Sequence, residues 1–258
     1  MPNPVLSRDD VARNTAGLTL LEDLRQALIK GEGALSIPIT AVRTEQEGQS
    51  ILHLHDRSGG QLLAVMDVTG LILLRAQLVA ALAVDALASP DAKRVALLGG
   101  GPMASGTLKA LRLVRSLREV WLVMADPEAR VLQAALLQTS LKTPVRAVDA
   151  AADAVAQADV VILADAVPLP ELALWPSVHL SVPMAQNFSA APFTPGILAK
   201  AWLVSDGSTP LWGHPPKADL GTVLAGTAMR PSEANTIFVG SGPSWLDLVA
   251  AWHVFQGI

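Results

Sequence analysis

Residues Val95–Arg115 read VALLGGGPMASGTLKALRLVR. A short apolar run enters three glycines, and a segment with helical spacing leaves them. Gly99, Gly101 and Ala104 fit the pattern G-x-G-x-x-A, with Pro102 and Met103 inside it. The pattern has physical content when a buried strand precedes it and a helix follows. Gly99 permits a tight turn. Gly101 has no Cβ, so a pyrophosphate can approach the main chain. Ala104 is small enough for helix and strand to pack closely. The helix N-terminus then offers unpaired N–H groups and partial positive charge to phosphates. The stretch predicts a dinucleotide site, for NAD or NADP; a strand-to-helix turn that binds nothing is the alternative.

Downstream the pattern repeats as EVWLVMAD, PEARVLQAALLQTSL, PVRAVD, AADAVAQA, DVVILAD, SVHLSVP and AWLVSD. Strand alternating with helix implies an α/β fold, a doubly wound parallel sheet with helices on both faces. Asp126, after the second strand, suits a ribose hydroxyl, and a first-turn helix carboxylate explains it equally well. Arg130 lies one turn further on, where a cation would suit a 2′-phosphate, so NAD and NADP both stay open. Ala164 and Asp165 close the strand DVVILA; Asp165 either bonds a ribose hydroxyl or caps the next segment.

Upstream, residues 8–30 have helical spacing and GEG stops them. Three strand-like runs follow, ALSIPITAV, SILHLHD and QLLAVMD, and then a long Ala/Leu helix over residues 70–88 that ends at SPDAK. That helix carries Arg75 and Asp85, which argues for a buried helix rather than a membrane span. Beyond Ser208, TPLWGHPPKADLG reads as a connection, and the tail segments LGTVLAG and SWLDLVAAWHVFQ read as helical.

The 258 residues, 51% of them hydrophobic, can bury a large core. A net charge of −4 supplies no basic excess for a nucleic-acid partner. Cysteine is absent, which removes disulfides, thiolate catalysis and zinc–sulfur sites, and tyrosine is absent, which removes a phenolic acid. No N-terminal stretch has the form of a signal peptide. The expectation is a cytoplasmic protein with no membrane or nucleic-acid partner.

The run RVALLGGGPMASGTLKALRLVRSLREVWLVMADPEAR resembles the nucleotide-binding core of the ornithine cyclodeaminase/μ-crystallin family. So do MDVTGLILLRAQLVAALAVDALA, HLSVPMAQNFSAAPFTPGIL and the tail LGTVLAGTAMRPSEANTIFVGSGPSWLDLVAAW, each for its own part of that family's chain. The resemblance implies a Rossmann domain, residues 90–214, inserted in a smaller α+β domain, residues 1–89 plus 215–258, that binds substrate and forms a homodimer. It implies hydride transfer at the carbon of a small amino or imino acid. Arg75 falls on the family's substrate-carboxylate arginine, whose planar fork matches a carboxylate. The loop Gly240–Ser244, with Gly242 inside it, falls where relatives approach the nicotinamide.

The family's catalytic aspartate falls on Gln186, which hydrogen-bonds but takes no proton near neutral pH. Two family lysines fall on Ala190 and Val239. Lys30 and Arg43 are the cations left to consider in the N-terminal part. These losses argue against deamination of ornithine and less against reduction of a protonated cyclic imine, which is already electrophilic. Three readings follow: an imino-acid reductase, a cyclodeaminase, and a binding protein without catalysis. Among the histidines, His53 and His55 share a strand face and read as a polar face rather than half a metal site. His179 lies too early in its strand to face a ligand. His214 sits in a loop, and His253 at a surface or subunit contact.

Overall fold

The computed structural model describes residues 3–13, 17–46, 48–165, 177–188, 193–207, 210, 212–231 and 234–257. The chain opens with β1 (Val5–Leu6), α1 (Arg8–Arg13) and α2 (Gly17–Lys30). A meander follows, β2 (Ile39–Gln46), β3 (Gln49–Asp56) and β4 (Leu62–Asp67), and then α3 (Val68–Leu87). The meander is antiparallel, β1 joins it parallel to β4, and the order is β1-β4-β3-β2. Leu52, Leu54, Ala64 and Met66 alternate along β3 and β4 and are buried, so one face of this sheet packs inward. Asp67 ends β4 and caps α3, accepting the Gly70 N–H at 2.7 Å.

The alternating part then runs β5 (Arg94–Leu98), α4 (Gly101–Val114), β6 (Glu119–Val123), α5 (Pro127–Leu141), β7 (Val145–Ala147), α6 (Ala151–Val155), β8 (Val160–Leu163), β9 (His179–Val182), α7 (Pro195–Lys200) and β10 (Trp202–Ser205). The last elements are β11 (Ala218–Asp219), α8 (Leu220–Leu224), β12 (Thr236–Val239) and α9 (Ser244–Gln256). All eight strands of the large sheet are parallel, in the order β7-β6-β5-β8-β9-β12-β10-β11. Every residue of β8, β9 and β12 is buried, as a parallel sheet covered on both faces requires. Chain order reverses between β5 and β8, and a crevice opens there at the carboxyl ends of the strands.

The doubly wound sheet with a second, smaller sheet is the expected fold class. The tail is not only helical: β11 and β12 belong to the large sheet, so that sheet continues past residue 214. The run TIFV is four residues with no period, and periodicity alone does not tell such a run from a buried helix segment. Residues 8–30 form two helices, with 14–16 outside the described residues.

α3 joins the two sheets. It is long and apolar enough to cross a membrane by composition, yet twelve of its residues are buried, Arg75 among them. It packs against α1, α2, α4 and α9 and against β9 and β12. The crossing with α4 is close at Gly106, where any Cβ would overlap the Gln77 amide. Gln77 also donates to the Pro102 carbonyl at 3.0 Å, tying α3 to the glycine turn.

His179 is fully buried at the start of β9, its Nδ1 2.8 Å from Thr236 Oγ1. Burial, with the Arg115 and Arg230 charges adding to it, depresses its pKa to about 3. The neutral ring is favoured in the fold, so this contribution is complete above the unfolded value near 6.5 and is lost as pH falls below it. Unfolding free energy should decline by up to about 1.4 kcal/mol per pH unit between about pH 6 and pH 4 on this account. His179→Asn, whose amide can donate to Thr236 Oγ1, should remove that part of the slope in denaturant titrations.

Candidate active site

The glycine turn leaves β5 and enters α4. Gly99 has φ +107° and Gly101 φ +76°, both in the region that favours glycine. They are glycine for different reasons. A Cβ at Gly99 would stand 2.6 Å from the Asp165 backbone nitrogen, because the end of β8 crosses there. A Cβ at Gly101 would meet none of the described residues within 4 Å, so among them the space above it is open. Gly100, a position the motif leaves free, is also crowded, though less rigidly: its Cβ would lie 2.5 Å from the Met124 methyl, the end of a flexible side chain. Pro102 occupies the first turn of α4, and Met103 and Ala104 are buried beneath it. Ala164 and Asp165 hang from β5, their N–H groups donating to the Leu98 carbonyl at 2.8 and 3.3 Å.

A cavity of about 650 Å³ opens on this turn. Gly99, Gly100, Gly101, Asp126, Arg130, Asp149 and Asp165 are among its walls. An open αL glycine at the start of a 14-residue helix is a cradle for a pyrophosphate, so these residues fit a dinucleotide. The Gly101 N–H donates to Gln133 Oε1 at 3.2 Å, so a side chain of α5 satisfies the group that a phosphate would use. Asp126 is the N-cap of α5, its Oδ1 accepting from Glu128 and Ala129 at 2.9 and 3.1 Å, and it also faces the cavity. Arg130 donates to the Met124 carbonyl at 3.0 Å and to Asp149.

Three more strands bring their carboxyl ends together beyond β8. β9 leads to Gln186, β12 to Gly242, and β10 to Asp206. Gly240 locks the first two: its N–H donates to the Val182 carbonyl and its carbonyl accepts from the Ala185 N–H. Arg75 reaches this edge from α3 and is 1% exposed. Its Nε donates to Asp247 of α9 at 2.9 Å, and its Nη1 lies 3.8 Å from Asp206 Oδ2. Asp206 is also 1% exposed, and its Oδ1 accepts from the Ser241 N–H and Oγ–H at 2.6 and 2.7 Å. Gly242 has φ +71°; a Cβ there would stand 2.9 Å from Arg75 Nη2 and 3.5 Å from Gln186 Nε2. The guanidinium and the exposed Gln186 amide thus flank one spot.

Burial holds the Asp247 carboxyl above the usual carboxylate range, against the opposing pull of Arg75 and, more weakly, Arg43; the Asp206 charge pushes it the same way as burial. Arg43 itself is exposed on β2, bonded to Glu45 and Ser50.

The structure therefore assembles two groups of the expected residues: Gly99, Gly101, Asp126 and Asp165 at the cavity, and Arg75, Gln186 and Gly242 at the neighbouring strand ends. Sequence reasoning missed Asp206, Asp247 and Gln133. A signal for the first two was present. Asp206 directly follows the buried strand WLVS, and Asp247 is a lone acid in an apolar helix, the complement of the lone Arg75. His53 bonds Thr44 and His55 the Gly60 carbonyl, so both serve their own sheet. His214 is exposed at an isolated bridge just after a turn, and His253 pairs with Asp23 of α2 at 2.6 Å. Ala190 lies outside the described residues.

A parallel sheet with a glycine turn at its switch point, a cavity on that turn and an arginine at the neighbouring strand ends defines a Rossmann-type α/β protein. The chain belongs to the ornithine cyclodeaminase/mu-crystallin family, whose model matches residues 38–258. It is 29% identical over 229 residues to ketimine reductase mu-crystallin of Mus musculus, covering 84% of this chain and 71% of that one. Its fold is similar to Δ1-pyrroline-2-carboxylate reductase of Thermococcus litoralis in complex with NADH and L-proline (TM-score 0.83, 17% identity, 98% and 96% of the two chains). It is also similar to an archaeal alanine dehydrogenase dimer with bound NAD (TM-score 0.80, 19% identity, 100% and 96%).

Proposed function

We propose that this chain is an NAD(H)-dependent reductase of a small cyclic α-imino acid such as pyrroline-2-carboxylate. One observation carries the reading: a buried guanidinium whose Nη1 has no hydrogen bond among the described residues shares the Gly242 spot with Gln186, on the same carboxyl edge as the Gly101 cradle. When bound, a reduced nicotinamide supplies the hydride for a C=N bond. The chain's own residues do the rest. Gly99–Ala104 and the first turn of α4 hold the pyrophosphate. Arg75 takes the substrate carboxylate, and Asp247 fixes the guanidinium through Nε. Gln186 orients the substrate by hydrogen bonds and moves no proton, which is enough for an imine that arrives protonated and insufficient for cyclodeamination.

The cavity favours NADH over NADPH. Asp126, Asp149 and Asp165 line it, and the lining guanidinium, Arg130, is already bonded to Met124 and Asp149. A 2′-phosphate would meet carboxylates instead of a cation. We further propose that the chain works as a homodimer, with residues 1–89, α8 and α9 forming the substrate and dimerisation part while β11 and β12 stay with the large sheet; β2 is an edge strand with Val42 more than half exposed.

The test is turnover. Purified protein with NADH or NADPH and a panel of cyclic imino acids should consume NADH with a five- or six-membered ring imine, and the NADH:NADPH ratio of kcat/KM should exceed about tenfold. Tight coenzyme binding without turnover of any imine would favour a binding protein without catalysis.

A further inference from the structure

Arg75 Nη1 and Asp206 Oδ2 are both buried, and neither has a hydrogen-bond partner among the described residues. They are oppositely charged and 3.8 Å apart, too far for a hydrogen bond with each other. Neither is loose. Arg75 is anchored through Nε on Asp247, and Asp206 through Oδ1 on the Ser241 N–H and hydroxyl. A buried charge-bearing atom left unmade is costly, and such atoms ordinarily find a partner. Here one donor and one acceptor are held side by side, each by its far end. The group that completes them must accept a bond from a guanidinium and donate one to a carboxylate.

From this geometry we infer that Asp206 receives the N–H of a positively charged substrate nitrogen while Arg75 holds the carboxylate of the same molecule. The inference rests on the imino-acid reading and adds the residue that reads the nitrogen. An α-imino acid with a protonated nitrogen presents a carboxylate and an N–H⁺ attached to one and the same carbon, as the adjacent pair of sites demands. The charge count agrees: Asp206 and Asp247 surround a single buried guanidinium, so the cluster is anionic and favours a cation over a neutral group. Gln186, in the position of the family's acid, supplies no charge for that nitrogen. Asp206 supplies it from β10, two strands away from β9 across the sheet. A carboxylate there also favours the protonated, electrophilic form of the imine. Asp247 acts through Arg75 and is a positioning residue.

The test compares two ligands of one shape. Proline carries a secondary ammonium in its ring, and tetrahydrofuran-2-carboxylate carries an ether oxygen in the same place. Both are titrated by calorimetry into the wild-type protein saturated with NADH, where neither can be reduced. Proline should bind about 30-fold more tightly, the worth of one charge-assisted hydrogen bond. Asp206→Asn should bring the ratio to about threefold or less while leaving the NADH dissociation constant unchanged. Asp247→Asn should weaken both ligands alike. A structural role for Asp206 would likewise weaken both ligands alike and leave the ratio intact. A wild-type ratio near one, or a ratio that survives Asp206→Asn, overturns the inference and leaves the imino-acid reading standing. Binding of neither ligand overturns both. The wild-type ratio decides the case even if the Asp206→Asn variant does not fold.

Discussion

Gly101→Val should weaken dinucleotide binding by at least about 100-fold, or about 2.7 kcal/mol, while the chain still folds. The position is exposed, so the side chain clashes with none of the described residues. The backbone cost is that of a β-branched residue at φ +76°, on the order of 1–2 kcal/mol. The new side chain fills the approach to the α4 N-terminus, where phosphate oxygens must come within hydrogen-bond distance of main-chain N–H groups. Gly99→Val is the contrast. There the clash is with the backbone of Asp165, β5 and β8 must separate, and the loss appears as unfolding. Fluorescence titration with NADH and thermal denaturation of both variants separate the two effects. Normal NADH affinity in a folded Gly101→Val chain would remove the pyrophosphate from this turn.

Arg75→Met should lower kcat/KM for the imine by about a thousandfold and destabilise the fold by about 3–5 kcal/mol. Two carboxylates lose their shared cation, Asp206 fully buried and Asp247 21% exposed. Because burial already raises the Asp247 pKa, removal of the guanidinium raises it further. A carboxyl with a raised folded pKa favours folding in its protonated form, and that contribution is lost as pH rises through the folded value. The stability deficit of Arg75→Met should therefore be smaller near about pH 4 than at about pH 7. Chemical denaturation at the two pH values measures it. Arg75→Lys keeps the charge but not the fork, so it should recover stability more than activity. Unchanged kinetics in either variant would take Arg75 out of the site.

Much of the dinucleotide region was legible because its signals are local. Glycines at fixed offsets, an apolar strand before them and a small residue after them are properties of one short segment. Asp126 and Asp165 could likewise be placed on the cavity as residues that end strands in an α/β pattern. Gly100 was not legible, because its constraint is the Met124 methyl on the next strand's exit. β12 was not legible either, since its four buried residues carry no period.

The sequence by itself determined the α/β class, the glycine turn and its helix, and the presence of a lone arginine in an apolar helix that had to be paired. Each is a matter of periodicity, steric demand or charge within a few neighbouring residues. Only the tertiary structure decided which groups meet Arg75. Asp206, Gly242 and Asp247 lie more than 130 positions away, and they converge because parallel strands all end on one edge and the β12 strand inserts between β9 and β10. Sheet order is settled by which buried faces fit together, and no short stretch of chain encodes that.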